Sequence, residues 1–114
     1  MQQRNAEQLR NHVWQQTAGQ YIRVYAPGHP LTVMKGKPTT ELHRIVLYDK
    51  IGPGPHPCYW CGSPLEWQRG RGHGALEVDH LNGIKDDNEI SNLVPACRSC
   101  NMRRCCGVEL QPFC

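Results

Sequence analysis

Apolar positions along this chain come in short, interrupted runs, and the spacing within each run predicts its element. Leu9, Val13 and Trp14 fall near one stripe of an otherwise polar stretch, residues 4–17, which suits a short amphipathic helix. Tyr21 to Ala26 is rich in β-branched and aromatic residues, and Pro27-Gly28-His29-Pro30 separates it from Leu31 to Met34, so the two runs predict a hairpin. Gly36-Lys37-Pro38 ends that ladder. Thr39 or Thr40 can cap a helix through TTELHRIVLYDK, with Leu42, Ile45 and Val46 as its buried stripe and Gly52 just beyond its end. The run IGPGPHP denies hydrogen bonds to helix and ladder alike and reads as a linker. Beyond it, Leu76 to Leu81 and Asn92 to Ala96 predict two short strands, followed by a helix from about Arg98 to Arg104. The resulting division is an accessory helix, hairpin and helix over residues 1–52, a linker over 53–57, and a core that carries the chemistry over 58–114.

Composition changes this picture in one respect. Among 114 residues, 39% are apolar and only one is Phe, while 9 Pro and 11 Gly interrupt the chain, so burial alone is a thin source of stability and a staple is expected. The formal charge of +3 is compatible with a polyanionic partner without requiring one. The first thirty residues hold no signal-like apolar run, and none approaches the ~18 apolar residues of a membrane span. The expectation is a soluble, non-secreted, cytoplasmic protein.

Seven cysteines supply the staple. Cys58-Tyr59-Trp60-Cys61 and Cys97-Arg98-Ser99-Cys100 each place two thiolates on a tight turn, the bite tetrahedral Zn²⁺ accepts. A single C-x-x-C is often a redox pair, whereas two in one small chain point to a closed, structural Cys₄ zinc site. Thirty-five residues, 62–96, lie between the knuckles. His56 and His73 flank the first knuckle and can replace a thiolate, but four cysteines already suffice; Cys105, Cys106 and Cys114 are left as free thiols.

Between the knuckles stands Leu76-Glu77-Val78-Asp79-His80-Leu81-Asn82-Gly83, followed after IKDDNEI by Ser91-Asn92-Leu93-Val94-Pro95-Ala96-Cys97-Arg98-Ser99-Cys100-Asn101. This segment resembles the HNH endonuclease motif in its zinc-bearing form, closely over Cys58 to Arg104. YIRVYAPGHPL and ELHRIVLYD resemble, more loosely, the segment that precedes the motif in phage-encoded and intron-associated HNH proteins. The resemblance implies an α+β fold: a ββα-metal (His-Me finger) core with a small N-terminal α/β extension. It implies hydrolysis of phosphodiester bonds in double-stranded DNA to 5′-phosphate and 3′-hydroxyl ends, in a host cytoplasm if the chain is phage-encoded. Genome-packaging machinery of phages is a further partner that it raises.

Such chemistry needs an activated water, a cation for the developing charge, and positioning of both. Asp79 offers a hard anionic oxygen and Asn101 a neutral one, a donor pair that suits Mg²⁺ or Mn²⁺. His80, the one histidine of the motif, is the expected general base. Adjacent strand residues point to opposite faces, so Asp79 and His80 require a bulge or a strand end to serve one site. Asn92, by resemblance the middle N of HNH, is expected to hold loop and strand so that the His80 ring keeps one orientation, or to serve as a turn residue. Arg98, Arg103 and Arg104 are expected to contact phosphates; Arg69 and Arg71 can do the same or form a solvated basic face. Lys85, Asp86 and Asp87 read as a solvated turn, and His43 as a packed helix-face residue. The competing reading is a non-catalytic zinc module that binds nucleic acid or a protein.

Overall fold

The computed structural model describes residues 13–16, 19–68 and 72–112. Arg69, Arg71, Cys114 and most of the helix expected over residues 4–17 lie outside them. The described part of that stretch is extended: β1 (Val13–Gln15) pairs antiparallel with β2 (Arg23–Tyr25), which pairs on its other side with β3 (Thr39–Glu41). The expected hairpin partner, Leu31 to Met34, forms no strand. Its place beside β2 is taken by Thr39–Glu41, and the Ala26 N–H extends that ladder by donating to Pro38 O at 2.9 Å.

His29 explains why the chain loops out between these strands. Its ring is buried, Nδ1 accepts from the Leu31 N–H at 3.1 Å, and Nε2 lies 3.0 Å from Asp49 Oδ1. With Nδ1 accepting, the ring proton sits on Nε2 and is donated to the carboxylate. Tyr48 packs edge-on against the same ring. The PGHP turn is thereby clasped to a helix rather than to a neighbouring strand.

That helix, α1 (Leu42–Ile51), begins one or two residues later than a cap at Thr40 or Thr39 would set it. Thr39 and Thr40 are strand residues; Thr39 Oγ1 accepts from Arg23 Nε and Thr40 Oγ1 bonds Thr32 Oγ1 at 2.7 Å, so neither caps. Glu41 occupies the cap position without a side-chain bond, and the Leu42 N–H is satisfied by Ile22 O at 2.8 Å. At the other end Gly52 adopts φ 79° and returns its N–H to Tyr48 O, a left-handed stop that glycine takes without strain.

The Pro/Gly run is less structureless than its composition implies, since β4 (His56–Pro57) pairs with β5 (Pro64–Leu65). Then follow β6 (Glu77–His80), a single 3₁₀ turn (Ile90–Asn92), β7 (Leu93–Ala96) and α2 (Arg98–Cys105). β6 and β7 form a regular antiparallel ladder, from Glu77 opposite Ala96 to His80 opposite Leu93. The fold is α+β, and its C-terminal half is the ββα unit that the sequence anticipates. One hydrophobic cluster runs through both halves, from Val24, Leu42 and Ile45 to Leu65, Leu76, Val78, Leu93 and Ala96, with the Cys58 and Cys100 side chains within it. No described helix is long and apolar enough to cross a membrane.

The clasp at His29 yields a test of this packing. His29→Ala leaves the Leu31 amide without its acceptor and Asp49 without its donor, so it should cost about 1–3 kcal/mol, read as a lower midpoint in thermal or urea unfolding. An unchanged midpoint would rule the clasp out as a support of the fold.

Candidate functional site

The four knuckle cysteines converge as their spacing requires. Their Sγ atoms all lie within 4.8 Å of one another, with Cys61 and Cys97 3.8 Å apart. Zinc–thiolate bonds of ~2.3 Å in a tetrahedron would space sulfurs about 3.8 Å apart, so this cluster can hold zinc. The surrounding N–H groups are arranged for sulfur acceptors: those of Trp60 and Cys97 lie 3.4 Å from Cys58 Sγ, and that of Cys100 lies 3.4 Å from Cys97 Sγ. Hydrogen bonds from Ser63 bring the Cys61 thiol down to about 6, while burial pushes the Cys97 and Cys100 thiols up. For Cys97 and Cys100, burial disfavours the thiolate unless a cation lies among the sulfurs.

Each knuckle also sends a side chain to Asp79. Trp60, inside the first, donates Nε1–H to Asp79 Oδ2 at 2.8 Å. Arg104, on the helix that the second knuckle opens, donates to Asp79 Oδ1 at 2.5 Å and to Leu81 O at 2.8 Å, with its guanidinium 4.6 Å from the centre of a Trp60 ring. Arg104 is thus partly buried and bonded inward, unlike the surface contact its sequence position suggests, whereas Arg98 and Arg103 are exposed. Asp79 is almost fully buried, yet each oxygen accepts one bond and retains lone pairs for a cation.

Asn101, in the first turn of α2, donates Nδ2–H to Glu77 Oε1 at 2.9 Å. This turns the amide so that Oδ1 is left without a hydrogen bond among the described residues, available as a neutral ligand. Glu77 Oε2 is buried without a partner, a further oxygen beside the same amide. Glu77 and Asp79 lie two residues apart on one face of β6, an arrangement readable from the strand period though Glu77 was not among the expected site residues. A carboxylate and an amide oxygen flanked by an orphaned carboxylate oxygen make a hard donor set that fits Mg²⁺ or Mn²⁺.

His80 stands on the opposite face. Its Nε2 lies 2.8 Å from Oδ1 of buried Asn88; because that oxygen accepts, Nε2 is the donor, and in the neutral ring the lone pair falls on Nδ1. Asn88 is a residue the sequence reading missed. Asn92 acts one step further out: its Nδ2 donates to Asn82 Oδ1 and Asp87 O, and its Oδ1 accepts from the Asn82 N–H, so it ties both ends of the loop that presents Asn88. Asp87, expected as a solvated turn residue, accepts from Asn82 Nδ2 at 2.7 Å within the same loop. His43 of α1 packs its ring 5.2 Å from that of His80 and 4.8 Å from that of Tyr21. Burial, then the charges of His80, Arg44 and Arg23, push His43 down to about 3. The half-exposed Glu41 carboxylate, 3.9 Å away, is too distant to offset this.

The β6–β7 ladder has no bulge, so of the two expected devices it is the strand end that serves here. A two-stranded sheet leaves β6 with an open edge, and His80 is its last residue. A cavity of about 250 Å³ at that edge is lined by Asp79, His80 and Asn101, with Tyr21, Lys85 and Arg104 around its rim. Residues 58–104 match the family model described as HNH endonuclease. No curated protein and no solved structure matches the chain.

Two outcomes are expected of this arrangement. Elemental analysis should find one zinc per chain, and strong chelation should unfold the core cooperatively in circular dichroism, because the cluster joins elements too short to stand alone. Cys58→Ser or Cys100→Ser should lose the zinc and Cys105→Ser should keep it; a zinc-free protein with an unchanged spectrum would exclude a Cys₄ centre. The second outcome concerns His43, which is neutral in the fold but protonates below 6.5 once unfolded. Its contribution is fully present above pH 6.5 and is lost as pH falls toward about 3. In excess zinc, His43→Phe should flatten the fall of stability below pH 6.5 by up to one proton; an unchanged slope would show that His43 is not the group responsible.

Proposed function

Since residues 58–104 belong to the HNH endonuclease family, a family of nucleases, we propose that this chain hydrolyses phosphodiester bonds in double-stranded DNA with His80 as general base. The observation that carries the reading is the shared cavity: Asp79, His80 and Asn101 line one hollow although Asp79 and His80 are sequence neighbours on opposite strand faces. Asp79 and Asn101 would hold one divalent ion, Mg²⁺ or Mn²⁺. When bound, that ion supplies positive charge for the phosphate and the leaving 3′-oxygen.

The chain's own residues supply the rest. Asn88 fixes the tautomer of His80 so that Nδ1 faces the work of accepting a proton from water, and the water oxygen then attacks phosphorus in line with the leaving oxygen. Asn92 is a positioning residue that acts through the loop it ties. Glu77 is another, holding the Asn101 amide with its oxygen outward. Arg104 keeps the Asp79 carboxylate in a single orientation and adds a cation to the cavity wall, while Arg98 and Arg103 contact phosphates from the exposed side of α2. Residues 1–52 act as an accessory segment to the nuclease domain of 58–114, and the zinc is structural because a Cys₄ site has no open position.

One observation favours the competing reading, a non-catalytic zinc module: both Asp79 oxygens already accept bonds from the protein. Plasmid nicking with Mg²⁺ or Mn²⁺ against a chelator control separates the two. His80→Ala should lose about 10² to 10⁴ in cleavage rate, the usual worth of a positioned base, with the fold and DNA binding kept. Asn88→Ala should lose less than His80→Ala, through kcat rather than KM. Full cleavage by His80→Ala in a nuclease-free preparation would remove His80 from the mechanism, and absence of cleavage in the parent with either metal would leave the zinc module.

A further inference from the structure

The outer face of the N-terminal sheet carries a row of polar side chains that the nuclease site does not use. Gln15, Arg23 and Glu41 are direct partners across β1, β2 and β3, while Val24 and Thr40, one residue along, are buried on the inner face. This row forms the floor of a shallow hollow walled by Gln20 and Tyr21. Tyr21 also lines the cavity at His80, and Lys85 Nζ sits 5.4 Å from its ring centre. In the other direction Arg23 and Glu41 also line a wider cleft, of about 460 Å³, with Lys35, Lys37, Thr39 and Arg44. Three hollows therefore adjoin in series, from the His80 cavity across the sheet to a cleft in which four cations face a single carboxylate.

The cations of that cleft are set for an anion from outside. Arg23 is braced by Thr39, through Nε to Oγ1 and through one terminal nitrogen to the carbonyl, both at 3.2 Å, and its other terminal nitrogen makes no hydrogen bond among the described residues. Among the described residues Arg44 is held by stacking 5.4 Å from the Trp67 ring centre and makes no hydrogen bond to a carboxylate. Burial, chiefly, and nearby Arg23 weaken its hold on the proton, opposed only in part by the carboxylates of Glu41 and Glu77, so a bound anion would still be favourable beside it. Lys35 and Lys37 are exposed on a loop with no acid in the cleft besides Glu41. A small anion would need one focus of donors; cations spread along connected hollows fit a chain of phosphates.

We infer that the DNA backbone leaving the His80 cavity runs over Tyr21 and Arg23 and is bound in this cleft through phosphate contacts with Lys35, Lys37 and Arg44. The inference rests on the nuclease reading and extends it, assigning the accessory sheet as the second contact surface for the same substrate. Such contacts position the duplex without reading its sequence.

The test uses the full chain and a fluorescent double-stranded oligonucleotide of mixed sequence, with affinity measured against salt. Each lost phosphate contact reduces the slope of log Kobs against log salt by about 0.9, so Lys35→Ala/Lys37→Ala should lower its magnitude by about 1.8 and raise KM for cleavage. Both lysines are exposed, so the fold should persist, checked by circular dichroism. Lys35→Arg/Lys37→Arg should keep the parental slope, and so should Lys50→Ala, an exposed lysine that lines none of the three hollows. A parental slope in Lys35→Ala/Lys37→Ala would overturn the cleft assignment while leaving the nuclease reading intact. A parent protein that neither binds nor cuts the duplex would overturn the nuclease reading and this inference together.

Discussion

The four sulfurs are the constraint from which the rest of the structure follows. Residues Cys58 and Cys100 lie inside the hydrophobic cluster, so the four-cysteine corner and the apolar core are one packing unit rather than a tag on its surface. The elements it joins are short: two-residue strands at β4 and β5, four residues in each of β6 and β7, and eight in α2. Elements of that length lack the internal cooperativity to persist alone, so their relative placement depends on what ties them. The tie also reaches the chemistry. Trp60 belongs to one knuckle and Arg104 to the helix opened by the other, and both grip the Asp79 carboxylate. Loosening either knuckle would therefore move a buried charge off its partners as well as open the core, and an uncompensated buried carboxylate is costly.

A second polar layer stands behind His80, built differently. Here the support is a loop, and loops are held by their own hydrogen bonds or not at all. Asn92 satisfies one backbone amide and one carbonyl of the loop with a single amide group and takes Asn82 Oδ1 as well, which fixes the span that ends at Asn88. The imidazole then meets a buried acceptor at 2.8 Å on one nitrogen and aromatic or imidazole rings on its flanks. Asp79 is held by charge and His80 by neutral partners. On the proposed reading, that difference in environment suits one neighbour to hold a cation and the other to accept a proton.

Legibility from sequence followed the range of the forces involved. The cysteine spacing, the strands around Asp79 and Leu93 and the helix after Cys97 were readable because each depends on residues within a few positions of one another. Elements decided by distant partners were misread. Val13–Gln15 looks helical beside Leu9, but pairing with β2 makes it a strand; Thr39 and Thr40 look like caps, but their backbones are claimed by the same sheet. Leu31 to Met34 has strand-like residues, and the His29 bond to Asp49, twenty positions away, pulls that run out of the ladder. The supporting residues of the site show the same division. Glu77 could have been found from the strand period, whereas Trp60 and Asn88 are linked to Asp79 and His80 only through the tertiary fold.

Of the two ways expected to bring Asp79 and His80 to one site, a bulge or a strand end, the fold takes the second, with His80 as the last residue of β6. In a wide sheet, neighbouring side chains on opposite faces are separated by the sheet itself. In a two-stranded ladder one edge of β6 is open, so a hollow at that edge is reached from both faces. The helix α2 covers the face of Glu77 and Asp79, and α1 with Tyr21 covers the face of His80. The residues before the first knuckle are thereby more than an appendage: they supply one wall of the cavity, and through Tyr21 and Arg23 they continue that wall into the surface of the N-terminal sheet. A short strand pair with an uncovered edge is ordinarily a liability for aggregation. Here the open edge lets two consecutive residues, one held by Arg104 and Trp60 and one by Asn88, line the same cavity.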